Sequence, residues 1–162
     1  MRLLFLFVLM FSTTLCFSQY GDPAGKPLPE KLAGLENTLV VNHFPLVVHP
    51  FQDKKDTAVY HWKHTTSVLS LEDDVIITEF GAYIFYSDKW NERVIYGPKD
   101  MDKIFKTKKA TLTKGQPYTF KDNWRTGSIV FGGWAMWYFM GIDKEGNKVA
   151  GWGVLETTDQ IH

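Results

Sequence analysis

From residue 38 onward, apolar and polar side chains alternate in short runs, and a period of two is the mark of half-buried β-strands. Residues 38–41 and 46–49 are β-branched runs, interrupted by Pro45 and closed by Pro50, a placement that suits an edge strand or a bend. Residues 57–62 and 65–71 follow as two strands or one long bent strand. The acidic turn Glu72-Asp73-Asp74 separates them from residues 75–79, and the pattern predicts a hairpin about that turn. Gly81 breaks or bulges the run before residues 82–86 resume it. A loop over residues 87–91 carries Trp90, and residues 92–96 read as a short strand.

One segment reads as helix. Pro98 opens it, Asp100 and Asp102 lie early, and Met101, Ile104 and Phe105 recur at helical spacing. Residues 109–113 and 116–121 are strands joined at Lys114-Gly115. Residues 128–141 and 148–157 flank Asp143-Lys144-Glu145-Gly146-Asn147, a polar, glycine-containing hairpin loop. Within residues 134–139 one face carries Trp134, Met136 and Tyr138, the other Ala135, Trp137 and Phe139. A strand apolar on both faces is either covered twice or presents an aromatic surface.

Many short strands, turn punctuation and one short helix predict an all-β chain, an antiparallel β-sandwich with a barrel as the alternative. The stretch 110–120, a strand, Lys-Gly and a Tyr-bearing strand, is similar to the penultimate turn of many immunoglobulin-like domains. The likeness is confined to that stretch and lacks the Cys-Trp-Cys hallmark, so it implies an immunoglobulin-like or related sandwich and names no family.

The first residues follow a different pattern. Arg2 precedes an unbroken apolar run over residues 3–11, and Cys16-Phe17-Ser18 offers small residues for a signal peptidase. The expected organisation is a signal peptide over 1–18, a Pro/Gly-rich arm over 19–37 and one sandwich domain over 38–162. The run is too short for a membrane span, which places the mature protein, from Gln19, in the periplasm or outside the cell. A lipid anchor on Cys16 is the alternative, disfavoured because Leu15 precedes it where a small residue is usual.

Composition sharpens this picture. The chain carries 18 basic and 18 acidic side chains, and a near-neutral balance gives no long-range attraction for nucleic acid or an anionic membrane. Its one cysteine falls in the leader, so the mature chain has no thiol for catalysis, zinc or a disulfide. Six Trp, seven Tyr and those of the twelve Phe that follow the leader supply the apolar area that must stabilise such a chain.

Two residue sets carry candidate chemistry. Asn123, Trp124 and Arg125 follow a strand, and Trp90 stands in another loop; an indole platform with amide and guanidinium anchors suits a glycan or a small amphipathic ligand. This gives the first expectation, a non-catalytic binding protein without a cofactor. The second set is His61 and His64, with His43, His49 and Glu79, which would hold a transition metal in a carrier or a metal-dependent enzyme. On a regular strand His61 and His64 point to opposite faces, so that reading needs a bend between them. A third alternative is a structural or assembly protein, pairing with a partner chain through the edge strand around residues 38–49. No G-x-S-x-G, S-x-x-K or phosphate-binding glycine loop occurs.

Overall fold

The computed structural model describes residues 25–161, so the leader, Cys16, the start of the arm and His162 lie outside the described residues. The chain is all-β with one short helix, and its two curled sheets form a half-barrel. Eleven strands follow in order: β1 (Glu36–Asn37), β2 (Leu39–Phe44), β3 (Val47–Val48), β4 (Phe51–Gln52), β5 (Tyr60–Ser70), β6 (Val75–Tyr86), β7 (Lys89–Tyr96), helix α1 (Pro98–Phe105), β8 (Thr111–Leu112), β9 (Tyr118–Gly127), β10 (Gly133–Ile142) and β11 (Lys148–Thr157).

The larger sheet runs β1-β11-β10-β6-β7, with β3 beside β11 and β8 beside β6. The smaller centres on β5, flanked by β2 and β4 on one side and β9 on the other. Both long hairpins lie in the larger sheet. β10 and β11 pair from Gly133↔Thr157 to Ile142↔Lys148 around the predicted 143–147 loop, where Gly146 takes φ 88°. β6 and β7 meet at a two-residue turn, Ser87-Asp88, both at positive φ, which matches the twist of the flanking strands.

Three expectations are corrected here. The acidic turn does not make a hairpin, because β5 belongs to the smaller sheet and β6 to the larger. Its side chains tie the crossover instead: Asp74 Oδ1 accepts the Lys114 backbone N–H at 2.8 Å, and Asp73 Oδ1 meets Lys144 Nζ at 2.6 Å. The strands around Lys114-Gly115 likewise part, β8 to β6 and β9 to β5. The segment expected as a free edge, residues 38–49, is the seam between the sheets, since β2 pairs with β5 while β3 pairs with β11.

That seam is tight. The backbone carbonyls of Leu39 and Val41 lie where Gly151 and Gly153 would carry a Cβ; a Cβ on Gly153 would stand 2.6 Å from the Val41 oxygen, and one on Gly151 would collide with the Leu39 carbonyl. On the opposite side no pairing joins β7 to β9, so the half-barrel is closed along β2/β11 and unpaired along β7/β9.

Side-chain size then divides the interior. Near α1, Phe80, Phe105 and Phe139 fill the space between sheets, with Phe80 and Phe139 stacked at 5.5 Å and Phe105 edge-on to both. Farther along the same strands the inner positions shrink to Ala82 and Ala135, and the interior is hollow. The outer face of β10 is covered too: the arm carries Leu32 onto Tyr83, Met136, Tyr138 and Ala150, which explains why both faces of that strand are apolar. Among the described residues, no helix is long and apolar enough to cross a membrane.

Gly151→Ala is therefore expected to cost about 1–3 kcal/mol, since overpacking at a backbone contact has no flexible side chain to yield. Urea denaturation checks it: the midpoint falls while the slope is unchanged. An unchanged midpoint would mean that the seam is loose.

Candidate functional site

The hollow between the sheets is a cavity of about 990 Å³. Its walls come from alternate residues of four strands: Trp62 and His64 on β5, Ala82 and Ile84 on β6, Ala135 and Trp137 on β10, and Asn123 and Arg125 on β9. Arg93 and Val94 on β7 complete the unpaired side. The rim is apolar and exposed at Tyr86, Trp124, Ile129 and Phe131.

β5 shows why these residues converge. From Trp62 to Ser70 every second side chain is buried, so Trp62, His64 and Thr66 face inward while His61 and Lys63 face outward. β9 lies alongside with His64 opposite Asn123 and Trp62 opposite Arg125, and a register shift between His64 and Thr66 brings Asn123 onto Thr66. Residues 122–125 therefore belong to a strand, correcting the expected loop.

Arg125 is the dominant group. Its guanidinium lies 3.8 Å from the centre of the Phe131 ring and 4.6 Å from that of Trp62, so aromatic faces cover it. Nη1 donates to Thr157 Oγ1 at 3.1 Å, whereas Nη2 is buried without a hydrogen-bond partner. No carboxylate forms an ion pair with it among the described residues. Desolvation, with the charge of Arg93 adding to it, pushes the Arg125 pKa down to about 10.

Beside it lies a polar chain. Asn123 Nδ2 donates to Thr66 Oγ1 at 2.7 Å, and the same hydroxyl is hydrogen-bonded to His43 Nδ1 at 3.1 Å. The His64 ring meets His43 edge-on at 5.6 Å, and neither of its nitrogens has a hydrogen-bond partner. Burial pushes both imidazoles down to about 4, with the neighbouring His64 a lesser cause at His43. Both are neutral at physiological pH.

The structure thus regroups the residues singled out from sequence. Asn123, Trp124, Arg125 and His64 line one cavity, with His43 just behind His64. Trp90 does not join them. It lies on β7 opposite Phe85, not in a loop, because the turn is only two residues long; it packs with the arm-covered cluster on the outer face. His61 pairs with Asp53 on the outer face of β5 at 2.9 Å, and His49 Nδ1 meets Thr158 Oγ1 at 2.8 Å. Glu79 lies under the arm, where Lys31 Nζ reaches Glu79 at 2.8 Å and Glu92 at 2.6 Å, and the Tyr138 hydroxyl, with one proton to share between them, lies 2.7 Å from Glu79 and 2.9 Å from Glu92. Burial and those two carboxylates raise the Tyr138 pKa far above its ordinary value; burial alone would lower that of Lys31, and its hydrogen bonds to Glu79 and Glu92 overcome this and raise it to about 12. No group of three His, Cys, Asp or Glu side chains placed to hold a metal occurs among the described residues.

Sequence reasoning missed Trp62, Trp137, Phe131 and Arg93. The alternation in β5 points Trp62 and His64 to one face, but only pairing across sheets sets Arg125 between Trp62 and Phe131.

The two histidines make stability pH-dependent. Their folded-state pKa values lie below the unfolded value of about 6.5, so the unfolded chain binds more protons between pH 6.5 and 4. Stability is full above that window and falls as pH drops through it, by on the order of 3 kcal/mol for each residue if acting alone. Urea midpoints measured from pH 7.5 to 5 are expected to decline, and less steeply in His64→Gln. Equal slopes in the two proteins would show that His64 titrates freely.

No protein-family model matches the chain, and no curated protein matches it in sequence. Among solved structures it is similar to Northeast Structural Genomics Consortium target SoR45, at 14% identity and a TM-score of 0.53 over 79% of this chain and 93% of that one. A second is Northeast Structural Genomics target BeR40 from Bordetella pertussis, at 10% identity and a TM-score of 0.47 over 75% of this chain and 95% of that one. The likeness to SoR45 is one of fold alone.

Proposed function

We propose that this protein is an exported, non-catalytic binding protein that holds a small amphipathic molecule in the cavity between its two sheets. The cavity carries the reading. At about 990 Å³ it lies within the size range of ligand sites, and its walls are aromatic and aliphatic with a few polar groups converging from β5 and β9. The export half of the reading rests on the pattern of residues 1–18.

Of the two ligand classes raised by the sequence, the amphipathic one is favoured over the glycan. A glycan site built on two indole platforms would need Trp90 and Trp124 on one surface, and Trp90 packs on the far side of the larger sheet. Trp124, 51% exposed, remains at the cavity rim, where it can cover an entering apolar body.

The test is a fluorescence titration with Nile red, an uncharged apolar dye, against the wild type and Ala135→Phe. Ala135 is buried on the inner face and lines the hollow, so a benzyl side chain there fills space that is empty. Saturable binding is expected in the wild type and at least a tenfold loss in the variant, with its melting temperature unchanged or raised. A variant that binds as well as the wild type, or that unfolds from overpacking, would contradict a ligand cavity.

A further inference from the structure

Building on that reading, we infer that the ligand is an anionic amphiphile, a carboxylate head on an apolar chain, with the head bound by Arg125 and the chain lying among Trp62, Ile84 and Trp137. The inference rests on a charge that the protein leaves unanswered. A buried guanidinium needs an anion and hydrogen-bond acceptors to offset its lost hydration. Thr157 satisfies one nitrogen of Arg125, the rings of Trp62 and Phe131 cover its faces, and Nη2 is left buried with no acceptor.

The surrounding charges strengthen the point. Arg93 and Lys103 also line the cavity, against one acid, Asp100. Asp100 is already engaged at the start of α1, where its Oδ2 accepts the Gly97 backbone N–H at 3.1 Å. Arg93 lies near enough to destabilise the Arg125 cation further. His64, the other titratable group on that wall, is neutral and contributes no charge. A cationic end on an apolar cavity complements a molecule that is itself divided into an anionic head and an apolar body.

An unpaired arginine of this kind is expensive unless it is used. Phe131 and Trp62 hold its plane, so little side-chain entropy of Arg125 is lost on binding.

The experiment measures displacement of Nile red by dodecanoate and by 1-dodecanol, both below their aggregation limits, from the wild type and from Arg125→Gln. Dodecanoate is expected to bind the wild type at least about tenfold more tightly than dodecanol, the gain of a charge-assisted hydrogen bond. In Arg125→Gln the two should bind alike, because the charge-assisted hydrogen bond is gone. Equal affinities in the wild type, or a preference for dodecanoate that survives in the variant, would overturn the inference while leaving the cavity reading intact. Failure of both compounds to displace the dye would instead count against the cavity reading itself. Should Arg125→Gln not fold, equal affinities in the wild type would still overturn the inference, and Arg125→Lys, which keeps the charge without the planar fork, is expected to weaken the preference.

Discussion

Where β2 crosses β11, backbone meets backbone: the Leu39 and Val41 carbonyls occupy the places where Gly151 and Gly153 lack side chains. Everything distinctive about the interior follows from that contact. It draws the two sheets together along one side, and β1, β3 and the Glu156 and Thr158 N–H bonds to Leu46 and Val48 fasten the seam. The other side has no such closure, since β7 and β9 do not pair. The space between the sheets is filled with phenylalanine at the α1 end and left hollow where Ala82 and Ala135 replace large residues. The fold thus combines a closed edge with an open, aromatic-lined interior.

The polar groups in that interior show two ways of meeting the cost of burial. His43 and His64 are uncharged, which removes most of the penalty, and the hydroxyl of Thr66 links His43 to Asn123. Arg125 cannot be discharged within the physiological range even with its pKa pushed down to about 10. It is instead covered by rings and left one donor short. Outside, on the larger sheet, Lys31 is treated differently again, with two glutamates and a tyrosine hydroxyl supplied by the fold itself. Lys31 is thus satisfied within the fold while Arg125 is left one donor short beside a hollow, and this contrast is the ground for the proposed carboxylate ligand.

How much of this was legible in the sequence depended on range. Local signals held: Pro98 and the spacing of Met101, Ile104 and Phe105 marked α1, and the 143–147 loop marked the β10–β11 hairpin. The two apolar faces of β10 were read correctly, although their cause, an arm docking through Leu32, depends on contacts far apart in the chain. Chain adjacency misled where neighbouring strands entered different sheets, as at residues 72–74 and at Lys114-Gly115. For the site, Asn123, Trp124 and Arg125 were identifiable as a polar-aromatic cluster, and the period of two separated His61 from His64. What could not be read was that Arg125 faces inward between Trp62 and Phe131, because strand pairing alone creates that environment.

The most direct measurement is an NMR titration of the isotope-labelled protein with dodecanoate, following backbone and arginine side-chain signals together. Shifts confined to inner-face residues of β5, β6, β9 and β10, with the largest at the Arg125 guanidinium, are the result this account requires. Shifts centred on the exposed apolar residues Phe44, Leu46, Val47 and Phe51, with the Arg125 signals unmoved, would contradict it.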